Sequence, residues 1–167
     1  MAKILVIGSN AFGGASYVKY ARDAGHDVIA CSRSLEAPTP YLPYKWFEHE
    51  SAFEFHQVDL NHDMDKLKSL IDKHKPNVIV NFASLCMVAQ SWDTPEDWMQ
   101  TNVVSTTSLM QALRHLDFLD KYIHFTTPEV YGNTDDWVKE SMNFKPSTPY
   151  ALSRAAGDMI VELWRET

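Results

Sequence analysis

Cysteine is nearly absent from this chain of 167 residues: Cys31 and Cys86 are the only two, and they form no Cys-x-x-Cys pair. The pattern lacks the usual spacing for thiolate metal or redox work and leaves two free thiols, both expected to be buried. Long apolar runs are missing too. Stretches such as Ile4 to Ile7 and Val78 to Val80 fall far short of the roughly 20 residues a membrane span needs. The first residues read as a strand rather than a leader, so a cytoplasmic location with no membrane partner is expected. Basic charge is scarce, with 15 Lys and Arg against 22 Asp and Glu, and the net charge of -7 argues against a nucleic-acid partner. No repeat or low-complexity tract occurs. Seven histidines are present, but they fall on different expected elements without ligand spacing, and no metal site is expected.

What remains is 45% hydrophobic and 22% charged, the composition of a soluble globular protein about one domain long. Short β-branched runs alternate with amphipathic stretches, the pattern of βαβ units building a parallel sheet. Strands are expected at Lys3 to Ile7, Asp27 to Cys31, Phe53 to Val58, Asn77 to Phe82 and Tyr122 to Thr126. A helix over Phe12 to Ala24 ends at Gly25, suited to the left-handed position after a helix. Met64 to Lys73 forms a second helix with Leu67, Leu70 and Ile71 on one face, stopped by Pro76. Asp93-Thr94-Pro95-Glu96 opens a long helix running to about His115, and Thr148-Pro149 opens a last one running to about Trp164. Leu35 to Ser51, with three prolines and several aromatics, reads as a structured surface excursion.

Gly8-Ser9-Asn10-Ala11-Phe12-Gly13-Gly14 lies where the first strand hands over to the first helix. Glycines there let backbone N–H groups approach a pyrophosphate at a helix N-terminus, although glycines in any such turn could serve packing alone. The end of the second strand separates the two nicotinamide cofactors, because a carboxylate there accepts from a ribose 2′-hydroxyl and repels a 2′-phosphate. This chain offers Ser32-Arg33-Ser34, which favours NADP and leaves NAD as the alternative. Asp59, closing the third strand, could accept from an adenine amino group or simply form a turn.

These motifs come in an order that resembles the extended short-chain dehydrogenase/reductase family, the nucleotide-sugar epimerases and dehydratases. After Gly8 and Asp59 come Asn81-Phe82-Ala83-Ser84, Asn102-Val103, Thr126-Thr127-Pro128-Glu129-Val130-Tyr131-Gly132 and Tyr150. The resemblance covers essentially the whole chain. It implies a single Rossmann-like α/β domain over residues 1–167, a doubly wound parallel sheet of strand order 3-2-1-4-5. The family is typically about twice this length, so its C-terminal sugar-binding lobe is expected to be missing here. A homodimer is expected through the long helix and the last one, with Ala151, Ala155, Met159 and Leu163 as the packing face. The implied cofactor site comprises Gly8, Asn10, Ala11, Phe12, Gly14, Ser32, Arg33, Asp59, Leu60, Phe82, Ala83, Ser84, Asn102, Tyr150 and Arg154.

The resemblance also implies the chemistry. Thr127 bonds the 4-hydroxyl of a nucleotide sugar beside Tyr150, the base. Glu129 sits where sugar 4,6-dehydratases place an acid that removes the C5 proton. It tilts the reading toward a dehydratase of GDP-mannose or dTDP-glucose type, with a 4-epimerase or uronate decarboxylase as alternatives. Pro128 stands where many dTDP-glucose dehydratases have aspartate, which leaves proton donation to the leaving hydroxyl open. Arg154 stands four residues after Tyr150, on the same helix face, where the family has lysine. That departure reduces the expected activity and keeps a non-catalytic cofactor-binding fragment as a further alternative.

Overall fold

Val, Ile and Leu runs too short for helices pair as expected into one sheet. In the computed structural model, which describes residues 1–165, the strands β1 (Lys3–Ile7), β2 (Asp27–Ser32), β3 (Phe53–Gln57), β4 (Val78–Asn81) and β5 (Lys121–His124) are all parallel, in the order β3-β2-β1-β4-β5. Central β1 is buried at Ile4, Leu5, Val6 and Ile7, the continuous apolar run that a strand covered on both faces requires. Among the described residues five α-helices accompany the sheet: α1 (Phe12–Asp23), α2 (Met64–His74), α3 (Pro95–Met99), α4 (Ser105–Leu113) and α5 (Pro149–Arg165). The Rossmann-like order 3-2-1-4-5 expected from the sequence is the one observed.

The described residues fall into two compact units. The first, Met1–Ala83 with His115–Phe125, contains the whole sheet with α1 and α2. Helix α1 buries Gly14, Ala15, Val18 and Ala21 and ends at Ala24, followed by Gly25 with φ 78°. The proline-rich excursion is ordered by packing. Its two short 3-10 turns, Thr39–Tyr41 and Pro43–Lys45, drive Leu42 and Tyr44 fully into the core beside Val18 and Ala21, and the Tyr44 hydroxyl donates to Glu36 at 2.9 Å. Helix α2 buries Leu67, Leu70 and Ile71, as its spacing predicts, and ends on Lys75 in the left-handed conformation.

The second unit holds Ser84–Arg114 and the residues from Thr126 onward. The single long helix expected here is interrupted: between α3 and α4 the chain widens into a π-helical turn, Gln100–Val104. Thr94 makes no side-chain cap. Thr148 does cap α5, its Oγ1 accepting from the Ala151 N–H at 3.0 Å, with Pro149 following at the first helical position. Helix α5 packs against α3, the π turn, α4 and the 3-10 turn Pro128–Tyr131.

Candidate cofactor and catalytic sites

The glycine turn of the first unit sits at the C-terminal ends of β1 and β4, where the strand order reverses and open α/β sheets take ligands. Gly8 has φ 84°, and a Cβ there would lie 2.6 Å from the Ala83 backbone nitrogen. A Cβ on Gly14 would lie 2.2 Å from the Gly8 carbonyl oxygen. Both glycines therefore let backbones approach closely. The turn is anchored on the end of β2: Gly8 and Ser9 N–H groups donate to the Cys31 carbonyl at 2.7 and 3.0 Å, and the Asn10 N–H to Ser32 Oγ at 2.9 Å. Asn10 Nδ2 donates to the Leu35 carbonyl at 2.8 Å, whereas its buried Oδ1 has no partner. Ala11, the residue before α1, provides no side-chain cap, so the first N–H groups of the helix remain available to an anion. Phe12 is almost fully exposed.

Beyond β2, Arg33 is exposed, and its carbonyl accepts from Gln57 Nε2 at 2.9 Å. Its guanidinium enters none of the described bonds. Ser32 and Ser34 are partly spent, since both hydroxyls accept from Asn10. One Asp59 oxygen accepts from the Asn61 N–H at 2.8 Å, the turn-forming role that strand-end aspartates have, and the side chain of Leu60 is in the core. Phe82 stacks on Phe125 with centroids 3.9 Å apart, and its ring edge stands 3.2 Å from where a Gly13 Cβ would be.

In the second unit, Tyr150 is buried at the start of α5, and its N–H donates to Ser91 Oγ at 3.1 Å. Thr127 opens the 3-10 turn that packs on α5, its Oγ1 accepting from the Glu129 N–H at 3.3 Å. The Glu129 carboxylate is half-buried and bonded to no described residue. Arg154, one turn after Tyr150, is 3% exposed. Its charge acts on Asp158: burial pushes the Asp158 carboxyl above the usual carboxylate range, and the Thr126 hydroxyl bond and Arg154 partly oppose that rise. Ser84 is half-buried. Thr127 also borders a broad concavity of about 1110 Å³ that neither Tyr150 nor Glu129 lines.

Asn102, expected at the cofactor site, also ties protein segments together. It is 1% exposed and sits in the π turn. Its Oδ1 accepts from the Leu85 N–H at 3.0 Å, and Nδ2 donates to the Leu85 carbonyl at 3.0 Å and to Ser153 Oγ at 2.9 Å. These bonds fix the backbone after Ser84.

A family model described as GDP-mannose 4,6 dehydratase matches residues 5–167. The chain belongs to the extended short-chain dehydrogenase/reductase family of nucleotide-sugar epimerases and dehydratases. A dTDP-glucose 4,6-dehydratase of Neisseria meningitidis serogroup B is 30% identical over all of this chain and 50% of its own length. The solved dTDP-glucose 4,6-dehydratase of Streptomyces venezuelae, which carries NAD, is 25% identical with TM-score 0.83, covering 99% of this chain and 52% of that one. The UDP-Glc/GlcNAc 4-epimerase of Campylobacter jejuni, 23% identical with TM-score 0.86 over 99% of this chain and 50% of its own, shares the fold. This family member spans about half the length of the curated relatives it matches.

Three features of this short-chain dehydrogenase/reductase escaped the sequence. Cys31 is buried as expected, but Cys86, in the segment after β4, is exposed. Asp158, which lies two turns after Tyr150 on α5, carries no motif of its own. The histidines that looked scattered are not all apart, since among the described residues Glu54, His56 and His74 bring their ligand atoms within 4.8 Å of one another. The only sequence signal was Glu54-x-His56, two side chains on one face of a strand.

Proposed function

We propose that this chain carries the NADP-binding and catalytic residues of a nucleotide-sugar 4,6-dehydratase. The observation that carries the reading is the Thr127–Tyr131 segment packed on α5, which places an unengaged Glu129 carboxylate on the turn that also presents Thr127, against the helix that presents Tyr150. The glycine turn fits a dinucleotide: Cβ atoms would fill its cradle at Gly8 and Gly14, and the uncapped start of α1 offers donors to a pyrophosphate. Arg33, exposed and free of described partners, suits a 2′-phosphate and supports NADP over NAD. When bound, the cofactor supplies reversible hydride acceptance at sugar C4.

Thr127 orients the sugar 4-hydroxyl and Tyr150 takes its proton as the C4 carbonyl forms. That carbonyl acidifies the C5 hydrogen, and Glu129 removes the proton as the C6 hydroxyl leaves as water; the hydride taken from C4 then returns to C6 and a proton to C5, so the net change is the loss of one water. A plain 4-epimerase has no such step for a carboxylate to perform. The substrates proposed are dTDP-glucose or GDP-mannose.

A second reading rests on Arg154. The buried guanidinium acts on Asp158, its planar fork is not interchangeable with the ammonium that the family uses at this position, and a cofactor-binding module without turnover would tolerate it. Mass spectrometry of dTDP-glucose and GDP-mannose after incubation with the protein and NADP tests both. Loss of one water from the sugar, abolished in Glu129→Gln, is the expected result. Inversion at C4 without water loss, which leaves the mass unchanged and is read by chromatography of the released sugar, would indicate a 4-epimerase, and loss of carbon dioxide from a nucleotide-linked uronate assayed alongside would indicate a decarboxylase. Cofactor binding without turnover would indicate the binding module.

A further inference from the structure

Glu54 and His56 alternate on β3 and so share one face of the strand, while His74 is the last residue of α2. His56 Nε2 stands 3.3 Å and His74 Nε2 3.6 Å from the same oxygen, Glu54 Oε2. Donor atoms on a tetrahedral zinc ion with bonds of about 2.0–2.1 Å stand roughly 3.3 Å apart. Both carboxylate–imidazole separations already approach that spacing, and only the two imidazole nitrogens have to close in from within 4.8 Å. Their rings are 6.0 Å apart at an interplanar angle of 60°, so neither ring is stacked on the other.

A second observation concerns the burial of His74. The His74 side chain is 10% exposed, yet its Nε2 is buried with no hydrogen-bond partner. Buried polar atoms are nearly always satisfied, and an orphan needs an explanation. We infer that Glu54, His56 and His74 bind one divalent transition-metal ion that ties β3 to the end of α2. Two imidazoles and a single carboxylate suit Zn²⁺ or Co²⁺ and not Mg²⁺ or Ca²⁺, which take oxygen ligands. Glu54 is 53% exposed, so the ion keeps a solvent-facing position. Lys73, with Nζ 4.0 Å from Glu54 Oε2 and its side chain 65% exposed, is the cation that the metal displaces. β3 is an edge strand with β2 as its sole neighbour in the sheet, and the ion would give it a second attachment.

The test is titration of the tag-free protein with Co²⁺, followed by visible absorption, then displacement by Zn²⁺, with thermal unfolding measured alongside. One Co²⁺ per chain, displaced by Zn²⁺, and a Zn²⁺-dependent rise in Tm that Mg²⁺ does not reproduce are expected. Loss of a direct ligand in His56→Gln or Glu54→Gln should weaken binding by more than about 100-fold, the upper range for merely outer-sphere changes. These two part-exposed positions carry the test because His74→Gln could disturb packing; His115→Gln, at an exposed histidine elsewhere, should bind like the parent. No binding, equal binding by the parent and His56→Gln, or equal competition by Mg²⁺ would overturn the site.

Discussion

Gly14 shows how a single hydrogen in place of a methyl group can decide a site. Its missing Cβ would lie 2.2 Å from the Gly8 carbonyl oxygen, and the contact is with backbone that has no flexible end to move. Gly14→Ala is expected to cost about 1–3 kcal/mol of stability in urea unfolding, as overpacking does, and to weaken nicotinamide-cofactor binding. Asp158 makes a different kind of prediction. Burial raises its carboxyl above the unfolded value, so the folded chain holds that proton more tightly than the unfolded one. The resulting stabilisation is fully present below the unfolded carboxylate range near pH 4 and is lost as pH rises through the elevated folded value. Relative to Asp158→Asn, the parent protein should therefore lose stability on going from acid toward neutral pH. A flat difference between the two across that range would contradict the assignment.

At the scale of elements, Asn102 ties the π turn to Leu85 and to α5. Asn102→Ala would leave the Leu85 N–H and carbonyl without their side-chain partner in a buried setting and remove the bond that Ser153 Oγ accepts, while Ser153 keeps its donation to the Tyr150 carbonyl, an expected loss of about 2–4 kcal/mol in urea unfolding. The strands were legible from β-branched runs, and the cap of α5 from Thr148-Pro149, because those signals are local. The break in the long helix was not, since nothing in the periodicity of residues 95 to 113 marks a wider turn; it follows from where Leu85 and Ser153 lie in three dimensions. The glycine spacing was readable, but the reason for Gly8 needed the Ala83 backbone pressed against it. Likewise the Glu54, His56 and His74 cluster depends on where α2 ends beside β3, which no spacing along the chain records. On the α5 face expected to dock, Ala151 and Ala155 are turned inward while Met159 and Leu163 are exposed, as is Leu152, which was not among the expected residues.

For the whole molecule, that exposed stripe carries the proposal of a homodimer. Leu152, Met159 and Leu163 recur at i, i+7 and i+11 on one face of α5 and are each more than half exposed. Leu152→Glu combined with Met159→Glu should convert a dimer to a monomer in sedimentation, without loss of helix content; a monomeric parent protein would contradict the proposal. The central claim is that the first unit holds a nicotinamide dinucleotide, with Arg33 selecting the phosphorylated form. Its most direct test is a paired fluorescence titration of the purified protein with NADPH and NADH, repeated on Arg33→Ala. Saturable binding that favours NADPH, with the preference reduced roughly 10-fold or more in the variant as for a lost charged hydrogen bond, is the predicted result. Binding of neither nucleotide would contradict the account.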